Sequence, residues 1–338
     1  MKQNRTVARM KDVAEEAGVS LGTVSKVING KPVGEEYVRK VNEAIRKLNY
    51  HVNSYAQGLK ASRTYTVAVL MPNTYHPFYA MLTYWLNASL TRRGYRMLLC
   101  CTDSDPRQEQ EYVYMAQQNK VDGIIGLTYN DQLQVSEDTP FVSIDRPFNP
   151  QIPCVASDNF AGGQMAAEKL ADLGCRKVLF LRTGSSLNNE PNKRKAGFEN
   201  GCIARGLSYE MKILSDGEWL TEEDIEEQFR AFLASRIHDG KPDFDGIFCV
   251  TDSLAFIVRR MLEEMGLRVP EDVQLIGFDG TRWLAHMESS GYMCSTIVQP
   301  IESIAEMSVD LLLENSMSIK PPLVCLPVTF AEGGTTRQ

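Results

Sequence analysis

Residues 20–26 have the sequence SLGTVSK, which contains three hydroxyl side chains, one lysine and few bulky side chains. Hydroxyl groups at the electropositive N-terminus of a helix suit phosphate oxygens, and a lysine can donate to the guanine acceptors of a major groove. These residue types therefore favour hydrogen bonding to a nucleic acid. That chemistry requires a helix that begins near residue 20 and turns the polar side chains outward.

The flanking residues predict such a helix. Val13, Ala14 and Ala17 form a small apolar stripe on a first helix, and Gly18 follows where a left-handed backbone ends helices. Ser20 can cap the second helix by accepting a backbone N–H, and this helix buries Val24, Val27 and Ile28. Its outward residues are then Leu21, Gly22, Ser25 and Lys26. The pattern predicts a helix-turn-helix, with a two-helix packing corner of no DNA role as the alternative.

A third helix and the charge distribution extend this prediction. Glu35 and Glu36 suit the first turn of a helix, whose inner face would carry Val38, Val41, Ile45 and Leu48. Residues 1–63 contain 12 Lys and Arg against 6 Asp and Glu, whereas the remaining residues contain 24 against 37. A basic amino-terminal part on an acidic body is typical of a nucleic-acid-binding unit joined to a soluble domain.

From Tyr65 onward, short β-branched runs alternate with amphipathic helices. One series of strands is predicted near 66–71, 96–101, 123–127 and 141–144, and a second near 177–182, 211–214, 246–250 and 273–278. Alternation of this kind predicts an α/β fold of two Rossmann-like parallel-sheet subdomains. Open parallel sheets bind their ligands beyond the carboxyl ends of the strands, so we expect a binding site in the cleft between the subdomains.

Polar and aromatic residues follow several of these strands. The candidates are Asn73, Phe78, Tyr79, Asp145 with its neighbour Arg146, Thr251 with its neighbour Asp252, and Asp279. Carboxylates pair with sugar hydroxyl groups, and aromatic rings offer flat faces to the C–H groups of a sugar ring. The set therefore favours a polyol ligand, although an aspartate after a strand can also serve only as a helix cap.

Five longer segments resemble the LacI/GalR family of transcriptional repressors. They are MKDVAEEAGVSLGTVSKVIN (10–29), EEYVRKVNEAIRKLNY (35–50), KRKAGFENG (193–201), VPEDVQLIGFDG (269–280) and STIVQP (295–300). The resemblance spans almost the whole chain in the expected order. It implies a three-helix DNA-binding headpiece, a hinge helix and two subdomains of periplasmic-binding-protein type.

The resemblance also implies roles for particular residues. In the hinge, NSYAQGLKAS (53–62), it makes Asn53 a cap, Leu59 a minor-groove wedge and Lys60 its neighbour. It adds three positions to the effector site: Asp158, Arg194 and Trp219. In the headpiece, bases would be contacted by Leu21, Gly22 and Lys26, and phosphates by Ser20, Thr23 and Ser25 together with Asn53. Asp158 can instead be a helix cap, and Trp219 can instead be part of the core.

Other classes of protein are not favoured. The chain has no GxGxxG or P-loop motif, its histidines lie in no metal-binding motif, and its eight cysteines form no CxxC pair. We therefore expect buried free thiols, no cofactor, no metal ion and no catalysis, although one sequence leaves a Ser/His/Asp triad open. No apolar run approaches ~18 residues and the N-terminus is polar, so we expect a cytoplasmic protein without a membrane span.

The combined prediction is a regulator with a headpiece at 1–52, a hinge at 53–63 and an effector-binding and dimerisation core at 64–338. It would act as a homodimer on a pseudo-palindromic operator and repress carbohydrate-utilisation genes, with a sugar as effector. No heptad tail follows residue 330, so a coiled-coil tetramer is not favoured. The alternatives are a purine, a phosphorylated ligand or a protein corepressor as effector, or a solute-binding protein.

Overall fold

The computed structural model describes residues 8–50, 63–128, 130–183, 190–214, 221–281, 294–314 and 322–337. The chain divides into two compact units, Met1–Thr64 and Tyr65–Gln338, each of which is described separately. None of the helices in the described residues combines the length and the apolar character that crossing a membrane requires.

The first unit contains the three predicted helices, α1 (Met10–Ala17), α2 (Leu21–Ile28) and α3 (Glu35–Lys47). Gly18 ends α1 at a φ of 63°, in the left-handed region that a glycine adopts without strain. Val13, Val24 and Val41 contribute one fully buried side chain from each helix to a common small core. The predicted helix-turn-helix and its inward-facing residues are thus confirmed.

The second unit contains fourteen strands, seven α-helices and a short 3-10 helix (Glu190–Asn192) within the described residues. The strands are β1 (Thr66–Met71), β2 (Arg96–Cys101), β3 (Gly123–Gly126), β4 (Phe141–Ile144), β5 (Cys154–Ser157), β6 (Lys177–Thr183), β7 (Ser208–Leu214), β8 (Ile237–His238), β9 (Lys241–Pro242), β10 (Gly246–Cys249), β11 (Gln274–Asp279), β12 (Ser295–Val298), β13 (Leu323–Leu326) and β14 (Thr329–Ala331). The helices are α4 (Pro77–Arg92), α5 (Pro106–Gln118), α6 (Asn159–Asp172), α7 (Lys193–Arg205), α8 (Glu222–Ala234), α9 (Asp252–Glu264) and α10 (Ile301–Leu313).

These elements form two lobes, each around a six-stranded sheet. The first lobe has the strand order β13-β5-β4-β3-β1-β2, with every pair parallel. The second lobe has the order β14-β12-β11-β10-β6-β7, in which only β14 is antiparallel to its neighbour. The predicted pair of parallel-sheet subdomains is confirmed.

The chain passes between the lobes three times, at residues 157–159, 298–301 and 326–329. As a consequence α10 and β13 belong to the first lobe although they come late in the sequence. The Ser157 hydroxyl donates to Gln299 Oε1 at 2.8 Å, and the Asp158 backbone N–H donates to the Leu326 carbonyl at 2.8 Å. The three crossing segments are therefore hydrogen-bonded to one another.

Helices α6 and α7 of the second lobe approach each other at backbone distance. A Cβ atom at Gly163 would lie 2.0 Å from the Arg194 carbonyl oxygen, and one at Gly197 would lie 1.9 Å from the Phe160 carbonyl oxygen. Neither position admits a side chain, since backbone atoms cannot move aside. Glycines therefore fix the position of α7, the helix that carries Arg194, against α6.

All eight cysteines are free, as predicted, but not all are buried. Cys101 is half-buried and Cys325 is exposed on the edge strand β13. The expectation of buried thiols is wrong for these two residues, because their strands lie at the edges of the first lobe's sheet. The other six are buried.

Candidate functional site

The N-terminus of α2 has the outward polar surface that the sequence predicts. The Ser20 hydroxyl accepts a hydrogen bond from the Thr23 backbone N–H at 3.1 Å and lies 2.9 Å from the Thr23 hydroxyl. Leu21 is 51% exposed, and Gly22 and Lys26 are also exposed. A capped helix end with one basic and one apolar side chain outward can contact both phosphate and base edges.

The second unit contains a cavity of about 160 Å³ at the carboxyl ends of its strands, lined from both lobes. The first lobe contributes His76, Phe78, Tyr79, Leu127, Asp145 and Arg146. The second lobe and the crossing segments contribute Arg182, Thr183, Pro191, Arg194, Val250, Thr251, Asp279 and Gln299. The volume lies below the ~300–1,000 Å³ of pockets for drug-sized ligands and suits a small molecule.

Arg194 is a buried cation of the cavity that three contacts hold in place. Its Nε donates to Asn159 Oδ1 and its Nη1 to the Val250 carbonyl, both at 2.7 Å, and its guanidinium lies 3.6 Å from the centre of the Phe278 ring. Burial lowers the pKa of Arg194 from its ordinary value, and the nearby Asp279 opposes this effect. Because its position is fixed, its remaining N–H groups are preorganised for a ligand.

Asp279 ends β11 and lies against Arg194 at a separation of 3.6 Å. Its Oδ1 accepts a hydrogen bond from Gln299 Nε2 at 2.7 Å, and its backbone has a φ of 123°. Burial raises the pKa of Asp279 to about 8, against the attraction of Arg194. At neutral pH the group therefore retains its proton in most molecules and can donate as well as accept a hydrogen bond.

Asp145 contributes an acceptor from the first lobe. It is 3% exposed, and its Oδ1 has no hydrogen-bond partner within the described ranges of the chain. Burial raises the pKa of Asp145 to about 6, so the carboxylate form still prevails at neutral pH. A buried carboxylate oxygen that faces a cavity without a donor is suited to a ligand hydroxyl group.

His76 and the aromatic residues complete the first lobe's side of the cavity. Burial lowers the pKa of His76 to about 4, and Arg194 acts in the same direction. The imidazole is therefore neutral, and it lies 4.9 Å from the ring of Tyr79, measured between ring centres. Phe78 and Tyr79 meet edge to face at 5.8 Å. These three rings form the apolar wall of the cavity.

Behind the cavity, Asp252 holds the end of β11 in place. Its Oδ2 accepts from the Thr281 backbone N–H at 2.8 Å and from the Thr281 hydroxyl at 3.0 Å. Its Oδ1 accepts from the Thr296 hydroxyl at 2.6 Å. Burial raises the pKa of Asp252, and its hydrogen bonds oppose that rise. Asp252 thus positions the turn that follows Asp279 and is not itself part of the cavity lining.

Six of the nine predicted effector residues line this one cavity: Phe78, Tyr79, Asp145, Arg194, Thr251 and Asp279. Asp158 instead caps α6, where its Oδ1 accepts from the Ala161 backbone N–H at 2.9 Å. Asn73 accepts from the His76 backbone N–H at 3.1 Å. Trp219, and the hinge candidates Asn53, Leu59 and Lys60, lie outside the described residues.

The sequence prediction missed four polar lining residues, His76, Arg182, Thr183 and Gln299. Arg182 had a recognisable signal, because it is a cation near the carboxyl end of the otherwise apolar run VLFLR. Gln299 follows β12, a strand that the sequence prediction did not include. His76 precedes α4 and gave no signal in the pattern of the strands.

A helix-turn-helix unit together with a two-lobed unit that encloses a polar cavity defines the class of ligand-responsive DNA-binding regulators. Residues 9–53 match the family model of bacterial regulatory proteins of the lacI family. Residues 64–298 match the model of periplasmic binding proteins and the sugar binding domain of the LacI family. The chain belongs to the LacI family of bacterial regulatory proteins, which confirms the resemblance seen in its sequence.

Individual relatives match along most of their length. The sucrose operon repressor of Streptococcus mutans is 33% identical over 337 residues, which cover 97% of this chain and 99% of the relative. The repressor PurR of Aliivibrio fischeri is 29% identical and covers 91% of each chain. A LacI-type regulator of Alkaliphilus metalliredigens, solved in complex with D-xylulofuranose, is 27% identical with a TM-score of 0.68 and covers 81% of this chain and 99% of its own.

Proposed function

We propose that the protein is a repressor of carbohydrate-utilisation genes whose affinity for DNA changes when a sugar binds in the cavity. The observation that carries this proposal is the convergence of Asp145, Asp279 and Arg194 beside the rings of Phe78 and Tyr79. Acceptors, donors and flat apolar faces within one small cavity match the hydroxyl groups and the C–H face of a sugar. The sucrose repressor and the xylulofuranose-bound regulator among its relatives support the same class of ligand.

The DNA-binding part of the proposal assigns residues 1–52 to a headpiece, 53–63 to a hinge and 64–338 to an effector-binding core. Leu21, Gly22 and Lys26 would contact bases, with Ser20, Thr23 and Ser25 on the phosphates. Two headpieces of a homodimer would engage the two halves of a pseudo-palindromic operator. The protein would therefore act in the cytoplasm, where that DNA lies, and it would regulate rather than catalyse.

The link between the two sites would be a change in the angle between the lobes. The cavity is lined from both lobes, and three crossing segments connect them. A ligand that contacts both lobes favours the lobe arrangement in which those contacts form. A coupling of about 1–3 kcal/mol is the usual scale for such a switch.

The experiment is a ligand screen on the full chain by thermal shift and calorimetry, with mono- and disaccharides, sugar phosphates, nucleosides and purines. We expect a sugar to raise the melting temperature and to change binding to operator DNA. At a concentration of 100 Kd, a ligand stabilises the folded state by about 2.7 kcal/mol. Asp279→Ala, which removes the carboxyl group from the cavity, should abolish the shift, whereas Asp138→Ala, which removes an exposed carboxylate of the first lobe, should leave it unchanged.

Other outcomes would assign the protein differently. A rise in melting temperature with purines alone would indicate a purine effector, the class that the name of the relative PurR denotes. It would overturn the carbohydrate assignment. Binding of a sugar without any effect on operator affinity would point to a solute-binding role. A response only to a protein partner would indicate a corepressor in place of a sugar.

A further inference from the structure

Two buried amide side chains lie between the cavity and the crossing segments. Gln299 lies between β12 of the second lobe and α10 of the first, and Asn159 begins α6 directly after the crossing that follows β5. An amide side chain has its donor and its acceptor at fixed positions, so it satisfies two partners only when both are correctly placed. The hydrogen bonds of these two residues therefore depend on how the lobes are arranged.

Gln299 connects Asp279 to Ser157. Its Nε2 donates to Asp279 Oδ1 at 2.7 Å, and its Oε1 accepts from the Ser157 hydroxyl at 2.8 Å. Its backbone N–H also donates to the Asp279 carbonyl at 3.2 Å. Asp279 is the last residue of β11 in the second lobe, and Ser157 is the last residue of β5 in the first. Gln299 thus completes a hydrogen-bonded connection from one lobe to the other.

Asn159 makes a second connection that ends at the same serine. Its Oδ1 accepts from Arg194 Nε at 2.7 Å, and its Nδ2 donates to the Ser157 carbonyl at 2.9 Å. Ser157 ends a strand of the first lobe and Asn159 begins a helix of the second, so their bond spans the crossing itself. Both connections therefore join a cavity-lining side chain to Ser157.

These bonds would change when the angle between the lobes changes. Ser157, Asn159 and Gln299 are at most 3% exposed, so a hydrogen bond lost here leaves polar groups that water does not reach. An unsatisfied buried donor or acceptor costs more free energy than an exposed one. The network therefore stabilises the lobe arrangement in which all of its bonds are made.

We propose that Gln299 and Asn159 are positioning residues that couple the effector cavity to the crossing segment at Ser157. A ligand that hydrogen-bonds to Asp279 and Arg194 reorients the groups that hold the two amides. It thereby shifts the balance between the lobe arrangement described above and a second one. This inference rests on the proposed function and names how its site is regulated.

Ser157→Ala tests the inference at a residue that belongs neither to the cavity lining nor to the first unit. It removes the hydroxyl that donates to Gln299 and keeps the carbonyl that accepts from Asn159. The matched control is Ser308→Ala, which removes an equally buried hydroxyl of the first lobe. That hydroxyl donates at 2.7 Å to the Ile304 carbonyl of the same helix, so its loss does not affect a crossing.

The measurement is the DNA affinity of the full-length protein, by fluorescence anisotropy, without sugar and with saturating sucrose, fructose or ribose. The probe is a duplex that the unaltered protein selects from a random-sequence library. In the condition in which DNA binds more weakly, most molecules have the other lobe arrangement. The DNA affinity is then proportional to the fraction of molecules that can bind DNA, and any change in the balance between arrangements alters it.

We expect Ser157→Ala to change this weaker DNA affinity by about fivefold or more, the scale of one buried hydrogen bond, and Ser308→Ala to change it by less than about twofold. Asn159→Ala, which breaks the second connection outside the cavity lining, should shift it in the same direction. Circular dichroism and thermal unfolding show whether each variant is folded. Ser157→Ala alone decides the test if Asn159→Ala does not fold.

Two other outcomes are distinguishable. If Ser157→Ala leaves the DNA affinity unchanged both without sugar and at saturation, the amides only hold the cavity residues in place. The coupling role would then be overturned, and the sugar-responsive function would stand. If none of the sugars alters DNA binding by the unaltered protein, the proposed function fails, and the inference fails with it.

Discussion

The Asp279 carboxyl group and the Arg194 guanidinium are buried side by side but too far apart for a hydrogen bond, with 3.6 Å between Arg194 Nη1 and Asp279 Oδ1. Each residue makes its hydrogen bonds with other partners. Arg194 donates to Asn159 and to the Val250 carbonyl, and Asp279 accepts from Gln299. Both residues belong to the second lobe, and each side chain is thus held by its own hydrogen-bond partners rather than by the other. A ligand hydroxyl beside the pair can therefore hydrogen-bond to both side chains.

Asp279→Ala should yield a repressor that binds operator DNA and does not respond to its effector. The substitution removes a ligand contact and leaves the first unit, with its α2 surface, unaltered. Fluorescence anisotropy with labelled operator, with and without effector, measures both properties. If the effector changes operator binding by the variant as it does for the unaltered protein, Asp279 does not belong to the effector site.

The same carboxyl group should make the stability of the second unit depend on pH. Because burial raises the pKa of Asp279 to about 8, the native state keeps a proton that the unfolded chain releases near pH 4. This contribution is complete below pH 4, is lost as the pH rises towards 8, and then stays constant, with a slope of at most about 1.4 kcal/mol per pH unit.

Urea unfolding between pH 5 and pH 9 provides the measurement. Asp279→Asn should show a shallower decline, because its side chain does not titrate. Asp145, whose pKa burial raises to about 6, contributes a decline of the same sign at lower pH in both proteins. Identical slopes for the two proteins would contradict the raised pKa of Asp279.

Lys26→Ala should abolish preference for the operator and keep much of the binding to unrelated DNA. The exposed Lys26 side chain lies on the same outward surface as Leu21 and Gly22, and a base contact typically contributes about 1–3 kcal/mol of discrimination. Competition experiments at fixed salt give the specificity ratio. An equal loss of affinity on all sequences would instead make Lys26 a phosphate contact.

Gly197→Ala should destabilise the second lobe by about 3 kcal/mol or more, since the new Cβ would meet the Phe160 carbonyl oxygen at 1.9 Å. It should also weaken effector binding, because α7 carries Arg194. Asn200→Ala changes an exposed position of the same helix and should alter stability by no more than about 0.5 kcal/mol. Denaturant unfolding compares the stability of the two variants. A Gly197→Ala variant as stable as the unaltered protein would contradict the close contact between α6 and α7.

Local patterns predicted the headpiece and most of the longer strands well. Val13, Val24 and Val41 are buried as their helical spacing indicates, and β1, β2 and β4 have the predicted bounds. The prediction omitted β5, β8, β9, β12, β13 and β14. Each has only two to four residues, and a short run of this length has no periodicity that separates it from a loop.

The sequence predicted those residues of the candidate site that come directly after a recognised strand. Asp145, Thr251 and Asp279 were identified because each comes at or directly after a predicted strand. Gln299 was not identified, because it follows β12, a strand that the sequence prediction did not include. Its contact with Asp279 depends on the pairing of β11 with β12, which only the folded sheet shows. Asp158 fits the alternative that the sequence left open, because it caps α6 and does not line the cavity.

The three crossings reverse the order in which the lobes can be completed during synthesis. Residues emerge from the ribosome at about 5–20 per second, starting at the N-terminus. The second lobe has all its elements except β14 once residue 298 has emerged. The first lobe must wait for α10 and β13, and until then Leu82 and Leu86 lack their packing against Ile304 and Val309. A nascent chain halted before residue 301 would therefore expose this apolar surface to chaperones and proteases, although the strands beside it were made first.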